Sequence, residues 1–122
     1  MTILYLTLAG GFGALMRFIV DGIVRTFLGR AFPWGTLFIN ISGSFVLGFI
    51  TGLVMQSHIA TDMKLIIGTG FCGGYTTFST VSFETVRLLE ESRYKAAALN
   101  SIGTLALALL GAAIGLILAY QY

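Results

Sequence analysis

The chain has 122 residues, of which 57% are hydrophobic and 10% charged, with a net charge of +2. A soluble domain carries about 25% charged residues, so this composition excludes a water-solvated globule, and so small a charge leaves no nucleic-acid footprint. The single cysteine, Cys72, excludes an intrachain disulfide and a thiolate metal cluster, and reads as a small packing residue.

A membrane-crossing helix needs about 20 apolar residues, and four stretches qualify. They run from about 2 to 28, 34 to 56, 64 to 89 and 96 to 122, joined by short connections at 29–33, 57–62 and 90–95. Nothing is left over for a soluble domain, so residues 1–122 are expected to form one four-span, all-α membrane domain. The first 16 residues contain no Lys or Arg, so they lack the basic start of a signal peptide, and the first stretch is expected to be retained as a span.

The first span carries GGFGALMRF, in which Gly10, Gly11 and Gly13 permit close helix contact. Arg17, Asp21 and Arg25 recur every four residues and share one face. Arg25 is near enough to the end to snorkel. Arg17 lies roughly 17 Å of helix rise from that end, and an ionisable group so deep marks a functional position. Two placements are open for it: lining an aqueous vestibule, or a buried pair with Asp21.

The second span reads WGTLFINISGSFVLGFITG. Ser44, Gly48 and Gly52 form a small-residue row for helix packing, and Trp34 suits an interfacial anchor. Asn40 is out of place in lipid and must face a cavity or another helix. Its match to a glycosylation sequon has no meaning inside a span.

The third span holds GTGFCGGYTTFSTVSFE, from Gly68 to Glu84. Glycines cost helix stability and hydroxyls compete for backbone hydrogen bonds, so the helix is expected to break here. Irregular backbone at membrane depth is tolerated only where protein buries it or a cavity exposes it. Residues 68–73 also fit G-x-G-x-x-G, but a dinucleotide fold needs strands and amphipathic helices that this chain does not offer. Glu84 follows the hydroxyl run, either held by a neighbouring helix or serving an ion pathway. In the fourth span Asn100 and Thr104 share a face at i, i+4, and Gly111 and Gly115 are spaced for packing.

No nucleophile and base stand at workable spacing, His58 lies in a connection, and no cluster has metal-ligand spacing, so an enzyme is not expected. The intramembrane polar set is hydroxyls, an amide, one arginine and phenylalanines. Hydroxyls and amides donate hydrogen bonds and a phenyl ring presents a positive edge, which together suit a small, poorly polarisable anion. A broken helix also exposes carbonyls, which leaves room for a structural cation.

GGFGALMRF, WGTLFINISGSF and GFCGGYTTFST together resemble the bacterial fluoride channel family (Fluc, also called CrcB), across all four spans. The resemblance implies an antiparallel, dual-topology dimer in the plasma (inner) membrane, passing fluoride along its interface and so relieving fluoride toxicity. It also implies a central structural sodium ion at the broken third helices, held by the carbonyls of Gly73 and Thr76. Phe78 matches the first of two pore phenylalanines and Asn40 the pore asparagine. Ser79 and Thr80 match hydroxyls near the pathway, Arg17 the arginine of the first helix, and Glu84 the glutamate after the break. One departure stands out: the family commonly reads TTFSTF, and here the second aromatic position is Val81. Phe83 does not replace it, because two residues along a helix is about 200° around the axis.

Arg25, Arg30, Arg87, Arg93 and Lys95 gather at the first and third connections, against Lys64 alone on the other face. That bias predicts odd connections in the cytoplasm and both termini outside. It favours a heterodimer with an oppositely oriented paralogue over a homodimer. Two competing readings remain: a non-transporting accessory subunit, which Val81 supports, and a small multidrug exporter. The exporter needs a carboxylate deep in the first span, where this chain has Arg17.

Overall fold

The computed structural model describes residues 1–29, 31–56 and 59–121, and every regular element among them is helical. Helix α1 spans Thr2–Leu28 and α2 spans Trp34–Met55. Helix α3 covers residues 61–75 and includes a wide, π-type stretch at Leu65–Cys72. Helix α4 is Phe78–Glu90, and α5 is Tyr94–Ala119 with a second π-type stretch at Leu99–Gly103. Three of these, α1, α2 and α5, are long and apolar enough to cross a membrane. Helices α3 and α4 are each shorter and meet end to end at Thr76 and Thr77.

The burial pattern is that of a protein solvated by lipid. In α1 only Gly13 is buried, while Ile3, Leu8, Phe12, Phe18 and Phe27 face outward. What α1 buries is backbone. A methyl group at Gly13 would run into the Phe71 carbonyl, and one at Gly74 into the Gly10 carbonyl. Gly70 approaches Leu6 in the same way, so bare glycines let α1 and α3 touch main chain to main chain. Gly11, expected to join this contact, has open space beside it.

Helices α2 and α5 form the other tight pair. Gly48 lies on the Ala112 carbonyl, Gly52 on Ala119, and Gly115 on the Phe45 carbonyl. Both small-residue rows therefore do what their spacing predicts. At the far end the Gln56 amide donates to the Gly52 and Ala119 carbonyls.

The glycine-rich part of the motif does not break the helix. Residues 68–75 stay helical, with Gly68 packed on Leu47 and Gly70 and Gly74 on α1, and the interruption falls within the expected stretch at Thr76 and Thr77, which are both extended. After α4 the chain reverses at Ser92, in a left-handed conformation with φ of 60°. The Arg93 and Ser92 amides donate back to the Leu88 and Leu89 carbonyls, closing a Schellman-type cap. The Arg93 guanidinium then donates to the Ala31 carbonyl, tying this turn to the one after α1.

Candidate functional site

The break is organised by one side chain. The Oδ1 atom of Asn40 accepts from the Thr77 amide at 2.9 Å, and its Nδ2 donates to the Thr77 carbonyl at 3.0 Å. Asn40 is buried in α2 and stands in for the backbone partners that Thr77 lost when the helix opened. Thr77 in turn caps α4: its hydroxyl accepts from the Thr80 amide at 3.2 Å and bonds the Thr80 hydroxyl at 3.1 Å. Below it, the Thr76 amide and hydroxyl both donate to the Cys72 carbonyl. Tyr75 stacks on Phe71 and shares a hydrogen bond of 3.0 Å with Ser42, which fixes α3 against α2. Thr77 and the Tyr75–Ser42 pair were not singled out from sequence. The signal for Thr77 was local: a threonine just before an apolar-periodic run is an N-cap pattern.

The same interruption frees carbonyls. The Thr77 amide is taken by Asn40 and the Thr80 amide by the Thr77 hydroxyl, so the Gly73 and Thr76 carbonyls lose their helical partners. Among the described residues neither receives a replacement. Two bare carbonyls beside an open glycine fit a hard cation such as sodium, which prefers oxygen ligands. No group of three or more His, Cys, Asp or Glu among the described residues forms a side-chain metal site.

Three hollows follow one another from this point. The first, of about 310 Å³, is lined by Asn40, Phe78, Val81, Ser101 and Thr104 among others, with Thr77 at its edge. The second, of about 370 Å³, shares Thr77 and adds Thr80, Thr36, Arg17 and Asp21. The third, of about 130 Å³, shares Asp21 and ends among Arg25, Glu84 and Arg87 at the connection side.

The expected site residues fall unevenly along this series. Asn40 and Phe78 share the first hollow, and the Phe78 ring is 85% exposed on its rim. Val81 faces the same hollow, so the position of the missing second ring does lie on the groove. Phe83 is 71% exposed and stands outside it, as the helical geometry requires. Thr80 belongs to the second hollow and Ser79 is exposed, within 3.4 Å of the Thr77 hydroxyl. Arg17 lines the second hollow half-exposed. The alternative of a pair with Asp21 does not form, because Asp21 bonds Arg25 at 3.1 Å. Glu84 is buried, 4.0 Å from Arg25, and its Oε1 has no hydrogen-bond partner among the described residues.

Opposite Val81, Asn100 is fully buried and donates to the Val81 carbonyl and the Thr85 hydroxyl. Its Oδ1 and the Thr104 hydroxyl are buried without partners among the described residues. Such groups are costly unless something else meets them, and Thr104 is among the residues that line the first hollow.

Residues 4–116 match the family described as CrcB-like protein, Camphor Resistance (CrcB). The chain belongs to the CrcB-like family. Among curated CrcB-like relatives, the fluoride-specific ion channel FluC 1 of Leifsonia xyli is 46% identical, covering 95% of this chain and 85% of the relative. The fluoride-specific ion channel FluC of Syntrophotalea carbinolica is 42% identical over 99% of both chains. That of Geobacter sulfurreducens is 40% identical over 98% of both. Membership of the CrcB-like family and three long apolar helices make this a multi-pass membrane protein.

Proposed function

We propose that this chain is a subunit of a passive, fluoride-selective channel of the inner membrane that lets trapped cytoplasmic fluoride escape. The observation that carries the reading is the first hollow. Beside a helix break, it brings together an amide with an N–H to spare, an exposed phenyl ring and the Thr104 hydroxyl. Each replaces part of an anion's water shell with a donor or a positive ring edge. The names of the curated relatives support fluoride as that anion. With the cell interior negative, each departing anion gains about 2.3 kcal/mol per 100 mV, so the channel needs no pump and no catalysis.

In this reading α3 and α4 together make a fourth, interrupted span, and two subunits assemble antiparallel with their breaks facing each other. Gly73 and Thr76 of each subunit offer their bare carbonyls to one structural sodium ion. Arg17 and Thr80 draw the anion along the second hollow, Ser79 lies beside the pathway, and Glu84 marks its cytoplasmic mouth. The basic connections lie in the cytoplasm.

Val81 favours a second reading of stoichiometry. With one ring per groove instead of two, this chain pairs with an oppositely oriented paralogue that completes the pathway. Fluoride efflux from liposomes tests both, with this chain alone and with such a paralogue. Efflux of fluoride but not chloride in either preparation supports the channel. Robust efflux from this chain alone removes the need for a partner, and no efflux in either, with the dimer intact, refutes channel function.

A further inference from the structure

Where the series of hollows reaches the connections, four charges meet. Asp21 and Arg25 come from α1, and Glu84 and Arg87 from α4, with Phe32, Pro33 and Gly35 closing the ring. Gly35 is there for room, since a methyl group at that position would strike the Asp21 carboxylate. Arg87 is the second cation of the ring; its Nε is buried without a hydrogen-bond partner among the described residues, and Glu91, outside the ring, comes only within 3.9 Å of it. Arg25 alone reaches the two inner carboxylates: its Nε is 3.1 Å from Asp21 Oδ2 and its terminal nitrogen 4.0 Å from Glu84 Oε2. Glu84 is 4% exposed, and its other oxygen is unpartnered among the described residues and buried in the same cluster. Unopposed, two carboxylates at a constriction would repel an approaching anion.

We propose that Arg25 is the residue that makes this mouth permissive to anions, by cancelling Asp21 and Glu84 where they narrow the way to Arg17. The proposal rests on the channel reading and adds to it an entry determinant outside the break. It works by charge. Arg25 leaves the mouth with two cations and two anions, and its loss leaves one anion in excess. A single excess charge in a low-dielectric cleft changes local ion concentration and entry rate on the order of tenfold.

The test is initial fluoride efflux at low fluoride concentration, in whichever assembly conducts. R25Q is expected to slow efflux about tenfold, with the deficit shrinking as salt rises. R25K keeps the charge but not the fork, and D21N/R25Q restores neutrality; both are expected within about twofold of wild type. D21N alone, which leaves an excess cation and does not depend on R25Q folding, is expected at or above the wild-type rate. Wild-type efflux in R25Q, a double variant no faster than R25Q, or a slow D21N would overturn the proposal. Absent wild-type efflux would instead remove the channel reading, and this inference with it.

Discussion

Replacing Asn40 by Leu keeps the number and branching of the side-chain heavy atoms and removes both hydrogen bonds to Thr77. The Thr77 amide and carbonyl, bonded at 2.9 and 3.0 Å in the folded chain, are then left in a buried site. A buried polar group without a partner costs about 1–3 kcal/mol, so two give about 2–6 kcal/mol, and partial repair within the membrane brings the expectation to about 2–4 kcal/mol. The break itself is expected to shift, since Thr77 can regain a helical bond only by closing it. Equilibrium unfolding in detergent mixtures measures the first effect, and fluoride efflux from liposomes the second. N40L is expected to lose both stability and flux. Stability within about 0.5 kcal/mol of wild type, the range of an ordinary surface change, would refute the assignment of Asn40 as the splint of the break.

Phe78→Ile separates function from folding, because the ring is 85% exposed on the subunit. Fluoride efflux is expected to fall at least about a hundredfold, the size of effect that losing one preorganised stabilising group produces, with the unfolding midpoint unchanged. Val81→Phe restores a ring on the groove wall, and efflux from the singly expressed chain is expected to rise. Gly48→Ala forces a methyl group into the Ala112 carbonyl, and overpacking of this kind costs about 1–3 kcal/mol. Its signature in the same unfolding assay is lost stability from the α2–α5 pair, with fluoride selectivity retained in the folded fraction.

The helical class and the ends of α1 and α2 were legible because long, mostly apolar runs separated by a short glycine- and proline-containing connection leave few alternatives. The glycine rows were legible for the same reason, since spacing alone fixes a face. The position of the break was not. Composition placed it only within residues 68–84; Gly70 and Gly74 are spent on contact with α1 and Gly68 on Leu47, while the opening at Thr76 and Thr77 is set by Asn40, 37 residues away in sequence. Local propensity carries no record of such a partner.

Arg17 and Arg25 posed the same problem. Asp21 is four residues from each, so spacing is symmetric, and the pairing with Arg25 is visible only in the folded chain, where Glu84 joins it. Val81 ran the other way. Set against the family's TTFSTF pattern it marked the place of an absent ring, and the fold adds that this place lies on the groove wall.

Passage of fluoride through the groove at the break is the central proposal. The direct measurement is the reversal potential of currents through the purified protein in a planar bilayer. Under a tenfold fluoride gradient, with chloride equal on both sides, it is expected to lie at the fluoride equilibrium potential, about 59 mV for one charge, and to vanish with Phe78→Ile. A reversal potential at zero, or one that follows chloride or the cation, would contradict the claim.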